Sequence, residues 1–206
     1  MDITGIVLAA GQSKRQGGTR PLLVHETAAI IERVLENFRA AKLQSLILVL
    51  GHEARKVLQK LSVGGMKVII NPTPSLGISA SLQRGMAHLP PHCEALMVVL
   101  GDMPLIETKT VDRIIDAFSK SKKGIAVPVC DGQPGYPVIL DLDKYRDALL
   151  ALRGDVGVRE ILASNPDDIL EVKIQSDEVL IDIDTHEDLE NLRDRLDMPR
   201  EVTSYA

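Results

Sequence analysis

Lys14, Arg15 and Arg20 fall within Leu8-Ala9-Ala10-Gly11-Gln12-Ser13-Lys14-Arg15-Gln16-Gly17-Gly18-Thr19-Arg20, a stretch of small residues and glycines. Glycine lets a backbone come close to a ligand and turn several N–H groups towards one anion. Arginine and lysine pair with phosphate oxygens. The combination suits a grip on a nucleoside triphosphate. It matches neither the Gly-Lys-Ser/Thr phosphate loop nor the G-x-G-x-x-G dinucleotide pattern. An ordinary strand-to-helix turn with a solvated basic rim is the alternative.

Four further groupings carry chemistry. Asp102, in Gly101-Asp102-Met103-Pro104, follows an apolar run. A lone carboxylate beside a triphosphate is the kind of ligand Mg²⁺ takes; the same residue also suits hydrogen bonding within a turn. Residues 71–82 run Asn-Pro-Thr-Pro-Ser-Leu-Gly-Ile-Ser-Ala-Ser-Leu. There Ser79 and Ser81 suit a nucleobase edge or a ribose, or else a polar helix N-terminus. In Asp182-Ile183-Asp184-Thr185, Asp184 offers a second carboxylate to a metal, or simply starts the last helix. Finally, Gly135-Tyr136-Pro137-Val138 and the stretch Arg153-Gly154-Asp155-Val156-Gly157-Val158-Arg159 hold two arginines. Arg153 and Arg159 suit an anionic second substrate, or are solvated surface cations.

The elements that must position these residues alternate. Apolar runs at 4–9, 46–50, 67–70 and 95–100 read as buried strands. Helical spacing over 27–41, 52–61, 78–88 and 110–119 separates them. Such alternation predicts a mostly parallel sheet covered on both faces. In that arrangement the basic stretch and Asp102 share the edge at the carboxyl ends of the strands, where ligands bind. From residue 124 the rhythm changes. A strand over 124–129, the turn dipeptide Asp131-Gly132 and a return strand over 135–140 predict a hairpin. Helices over 143–152 and 156–163, strands over 169–174 and 179–183, and a helix over 184–196 complete the reading. Thr185 followed by Asp188 suits the start of that last helix. One domain over 1–196 is expected, with 197–206 as a tail.

Composition narrows the function. The 206 residues are 45% hydrophobic, 26% charged and only 2% aromatic. Scarce aromatics argue against base stacking on a nucleic acid. The net charge of −5 argues against general binding to nucleic acid or an anionic membrane. Cys93 and Cys130 have neither zinc spacing nor a disulfide pattern, and both are expected to be buried and reduced. No histidine has a partner at metal-ligand spacing. No G-x-S-x-G elbow occurs, so a hydrolase triad has no support. The start of the chain lacks a basic, apolar leader, and no run approaches membrane-spanning length. A cytoplasmic protein is expected.

Taken in order, these pieces resemble the MobA-like NTP transferase family, most closely its molybdenum cofactor cytidylyltransferases. The resemblance rests on LAAGxSxRxG at 8–17, N-P-x-x-x-x-G-x-S-x-S-L at 71–82 and G-D-M-P at 101–104. It continues in G-x-P-V at 135–138, R-G-D-x-G-x-R at 153–159 and D-I-D-T-x-E-D-L at 182–189. It implies a Rossmann-like three-layer α/β fold of the nucleotide-diphospho-sugar transferase type, with a hairpin-containing acceptor side. It also implies a Mg²⁺-dependent nucleotidyltransferase that moves CMP from CTP to a molybdopterin-type cofactor with release of pyrophosphate. Leu8, Ala9, Ala10, Gly11, Asn71, Gly77, Ser79, Ser81 and Gly101 would then receive the nucleotide. Arg15 and Arg20 would neutralise its phosphates. Asp102 would hold Mg²⁺ with Asp184. Gly135, Pro137, Arg153, Asp155 and Arg159 would face the acceptor. A molybdoenzyme receiving the product is the implied partner. The chain departs from the family at Gln16, usually Met, at Arg20, usually Lys, and at Glu26-Thr27-Ala28, usually Gly-Lys-Pro. Ala10, where guanylyltransferases carry glycine, favours cytidine. A guanylyltransferase, a sugar-phosphate nucleotidyltransferase and a non-catalytic cofactor-binding chaperone are the alternatives.

Overall fold

Alternate residues of each strand feed two separate cores, as a pleated backbone requires. In the computed structural model, which describes residues 1–11 and 22–196, the first strands are β1 (Ile3–Ala9), β2 (Ser45–Leu50), β3 (Lys67–Ile70) and β4 (Ala95–Leu100). Ile6, Ile47, Val49, Leu96 and Val98 face one core, while Val7, Leu48, Leu50, Met97 and Val99 face the other. Both faces are buried because helices cover both. On one side lie α1 (Val24–Arg39), α2 (Ala54–Leu58) and α4 (Thr108–Ser119). On the other lie α3 (Ile78–Met86), α5 (Leu142–Ala151) and α6 (Arg159–Ser164). The last helix, α7 (His186–Leu196), packs Leu189 and Leu196 with Ile30 and Ile183 in a third, smaller core.

The sheet order is β3-β2-β1-β4-β7-β5, where β7 is Val138–Asp141 and β5 is Ile125–Cys130, with β8 (Ile169–Lys173) on the far side of β5. β1 pairs in parallel with both β2 and β4, so the chain moves outward on one side and then returns to start on the other. That reversal opens a crevice at the carboxyl ends of β1 and β4, the usual place for a ligand in an open α/β sheet.

The second half differs from the expected plain hairpin. β5 (Ile125–Cys130) does turn at Asp131 and Gly132, which carry φ of 49° and 79°. Two left-handed residues give the tight turn that suits strand twist. The return strand, however, is broken in two. β6 (Gln133–Pro134) pairs with the end of β5, and β7 (Val138–Asp141) pairs antiparallel with both β5 and β4. Residues 179–183 form no strand. A 3-10 turn, Asp177–Val179, and irregular backbone replace it. Val179 and Ile183 are buried in different cores, so their apolar character is satisfied without a ladder. Smaller shifts concern helix bounds: α1 starts three residues earlier than its periodicity suggests, and α2 and α6 are shorter. Cys93 and Cys130 are buried free thiols. Among the described residues no helix is long and apolar enough to cross a membrane.

Candidate active site

Asp102 stands where two cavities meet. One, of about 300 Å³, is lined by Leu8, Ala9, Gly101 and Asp102 on the sheet edge, Thr27, Ile30 and Ile31 of α1, and Asp182 and Asp184 opposite. The other, of about 510 Å³, is lined by Leu8, Ala10, Gly11, Gly77, Ser81, Asp102 and Asp155. A further cavity of about 440 Å³ lies beside Ser45 and Lys67 at the strand starts and holds none of the motif residues. The sheet edge, not that cavity, gathers the chemistry.

The carboxylate of Asp102 is less exposed than its place at a strand end suggests. Its Oδ1 is sealed from solvent and accepts no hydrogen bond. Burial pushes its pKa up to about 6; its own backbone amide opposes this, and the charges of Asp182 and Asp184 add to it. Ile183 N–H donates to the Asp102 carbonyl at 2.9 Å, which fastens the 182–184 segment beside it. Downstream, the Asp188 carboxylate accepts from Thr185 N–H and Oγ1, and Thr185 Oγ1 accepts from Asp188 N–H. This reciprocal cap fixes the start of α7, as the Thr185–Asp188 spacing predicts. Asp182 is the residue that sequence reasoning left out of the site. Its place beside Asp184 was the available signal. Among the described residues, no three His, Cys, Asp or Glu side chains form a ready-made metal cage. Mg²⁺ typically takes only one or two carboxylates and completes its shell with water and phosphate. The unpartnered Oδ1 of Asp102 fits that role.

The nucleotide-side residues divide by position. Leu8, Ala9, Ala10, Gly11, Gly77, Ser81 and Gly101 line one cavity or the other. Asn71 and Ser79 sit behind the wall. Asn71 Nδ2 donates to Ser81 Oγ at 3.0 Å, and its Oδ1 accepts from Thr73 N–H. Ser79 donates through both N–H and Oγ to the Gly154 carbonyl, at 3.2 and 2.8 Å. These two therefore brace the loop that shapes the larger cavity. Arg15 and Arg20 lie outside the described residues.

The acceptor-side residues do not gather in either cavity, Asp155 excepted. Asp155 Oδ1 accepts from Ile78 N–H at 3.2 Å, at the start of α3. Arg153 folds back to donate to the Leu150 and Leu152 carbonyls at the end of α5. Gly135 and Pro137 are buried in the segment that leads to β7. Arg159 is exposed at the start of α6, and its charge bears on the hydroxyl of Tyr136. Burial pushes the Tyr136 hydroxyl's pKa up and the Arg159 guanidinium opposes it, while the Asp102 charge adds to the rise. Tyr136 thus feels the charges of both Arg159 and Asp102. It was invisible as a functional residue because it fills the variable place of its motif.

Comparisons with known proteins agree with the fold. The profile of the MobA-like NTP transferase domain matches residues 5–169. The bifunctional protein GlmU of Stutzerimonas stutzeri (strain A1501) is 27% identical over 138 residues, covering 66% of this chain and 30% of that protein. The chain thus spans under a third of GlmU. Nicotine blue oxidoreductase of Paenarthrobacter nicotinovorans is 26% identical over 172 residues, covering 80% of this chain and 83% of that protein. The crystal structure of Rv0371c from Mycobacterium tuberculosis H37Rv superposes with a TM-score of 0.79 at 28% identity, covering 94% and 98% of the two chains. The same protein has been solved in complex with manganese.

Proposed function

The chain belongs to the MobA-like NTP transferase family, and from that premise we propose that it transfers CMP from CTP to a molybdopterin-type molybdenum cofactor. A phosphate oxygen of the acceptor bonds to the α-phosphorus as the bond to pyrophosphate breaks. The observation that carries the reading is the sealed, unpartnered Oδ1 of Asp102 at the junction of the two cavities. Such chemistry needs positioning and charge neutralisation more than a protein nucleophile.

Asp102 and Asp184 would hold Mg²⁺, with Asp182 adjoining. The cation would supply the positive charge that a triphosphate and its departing pyrophosphate require. That Rv0371c has been solved in complex with manganese supports the use of a divalent ion. The larger cavity would take the nucleoside, with Ala10 and Gly11 backbone beneath it and Ser81 at its side. Arg15 and Arg20 would pair with the phosphates. Arg159, whose charge bears on Tyr136, would meet the anionic acceptor.

Thermal-shift titration with CTP, GTP, ATP and UTP in Mg²⁺ tests the nucleotide choice. A ligand that binds only the folded state stabilises it by about 2.7 kcal/mol at a hundred times its Kd. CTP is expected to give the largest shift, because Ala10 occupies the place of the guanylyltransferase glycine. An equal or larger shift with GTP would overturn the assignment. For the acceptor side, Tyr136→Phe is expected to raise the acceptor KM about tenfold, the worth of one hydrogen bond to a charged group, and to leave CTP affinity unchanged. Steady-state kinetics in each substrate separately would check this. An unchanged acceptor KM would remove Tyr136 from the site.

One observation favours a second reading. The relative matched over most of both chains is named as an oxidoreductase. A nucleotide-dependent reductase would consume a reduced pyridine nucleotide and release no pyrophosphate. Absorbance at the nicotinamide band, followed with and without an electron acceptor, separates the two.

A further inference from the structure

Helices α1 and α7 begin 162 residues apart in sequence, and besides their apolar packing they are tied by a pair whose carboxylate is buried. Glu26, only 4% exposed, accepts from His186 Nδ1 at 2.6 Å through Oε1. Its Oε2 accepts from Leu23 N–H at 2.7 Å, at the start of α1. The other ring nitrogen lies 3.8 Å from Glu190 Oε1, which in turn holds Arg193 Nε at 2.5 Å. A buried carboxylate is costly unless paired, and hydrophobic packing would cover the same place at less cost. A pair of this kind is best explained when it fixes the register of the parts it joins.

Those parts are the two walls of the 300 Å³ cavity. Thr27, Ile30 and Ile31 of α1 make one wall, and Asp182, Ile183 and Asp184 make the other. Glu26 adjoins the first wall and His186 follows the second by two residues. We propose that the Glu26–His186 pair is a positioning element that sets the spacing of these walls, and with it the affinity for a metal-bound nucleoside triphosphate. The proposal rests on the nucleotidyltransferase reading. Neither side chain touches the substrate; each acts through the backbone it anchors.

The test compares wild type, His186→Ala and His186→Asn, with CTP and MgCl₂ as the binding probe. His186→Ala is expected to raise the CTP Kd about tenfold, the loss expected for one charge-assisted bond. His186→Asn restores an N–H donor near the Nδ1 position and is expected to recover most of that loss. Amide exchange of the ligand-free proteins gives a second readout. His186→Ala should speed exchange of the Leu23 N–H, although the two residues are far apart in sequence. A Kd within twofold of wild type for both variants, whatever their melting temperatures, would overturn the positioning role. Unchanged exchange at Leu23 would overturn the tie itself. Faster exchange at Leu23 in His186→Ala, together with a wild-type protein that binds no CTP, would retain the tie and overturn the proposed function instead.

Discussion

Asp102→Asn is expected to abolish transfer and, at the same time, to stabilise the metal-free fold above pH 6. The cause is the burial of Oδ1 without a partner, reinforced by Asp182 and Asp184. Burial raises the pKa from 3.8 to about 6. In the unfolded chain the group ionises at its ordinary value. Between these two values the folded state therefore holds the proton and the unfolded state has lost it, so stability falls as pH rises. Below 3.8 there is no penalty, and above about 6 it is complete. Each pKa unit corresponds to about 1.4 kcal/mol, so the full penalty is about 2–3 kcal/mol. Asparagine resembles the protonated acid in shape and carries no charge, so the variant escapes the fall. Urea unfolding in EDTA, at steps from pH 3 to pH 8, should show two curves that separate across this window and then run parallel. Turnover should drop by at least about a hundredfold, as for other losses of transition-state charge stabilisation. Curves that stay parallel throughout, or a variant with normal turnover, would contradict the assignment. A buried carboxylate that costs stability and lines a cleft has its explanation in function.

Gly77→Ala is the second large effect. Gly77 adopts φ 94° and ψ 176°, a region open essentially to glycine alone. A Cβ there would lie 2.3 Å from the Gly154 carbonyl carbon and 2.4 Å from its oxygen. Both are backbone atoms and cannot swing aside. The substitution would part the loop before α3 from the Arg153-Gly154-Asp155 turn, and break the bonds from Ile78 and Ser79 to that turn. Strain of about 1–3 kcal/mol and the loss of bonds worth about 1 kcal/mol each give an expected destabilisation of about 3–5 kcal/mol. Gly154→Ala is the control. Gly154 also has a positive φ, 67°, but no neighbour within 4 Å of the added Cβ. It should cost only about 1–2 kcal/mol, the left-handed penalty alone. Denaturation midpoints measure both. Equal losses at the two glycines would show that the close approach of the two loops does not matter.

The parallel half of the fold was legible because its residues leave little choice. Lys67–Ile70 and Ala95–Leu100 are continuous or near-continuous apolar runs ended by turn residues, and both strands fall where the sequence puts them. Asp102 and the end of β1 come together because parallel strands bring their carboxyl ends to one edge, whereas the Asp182–Asp184 segment, which is no strand, is fastened there by Ile183 N–H to the Asp102 carbonyl. The reading of 179–183 as a strand failed for an equally physical reason. Alternating apolar residues state that side chains are buried, and here two cores bury them without a ladder. Ser79 and Asn71 read as ligand groups because their residue types fit both roles. Only the third dimension shows that Gly154 and Ser81 already occupy them. Arg153 is similar: its guanidinium caps α5, a partner that the sequence does not announce. Glu26 and His186 were beyond reach for a simpler reason, since no local pattern links residues 160 positions apart.

The central claim is nucleotidyl transfer at Asp102, and one measurement addresses it directly. CTP labelled at the α-phosphate is incubated with the protein, Mg²⁺ and a molybdopterin-type cofactor, and the label and pyrophosphate are followed together. Label is expected to move to the cofactor in step with pyrophosphate release, with neither seen when the cofactor is left out or Asp102 is replaced by Asn. Bound CTP with no label transferred and no pyrophosphate released, under conditions where the cofactor is intact, would contradict the account.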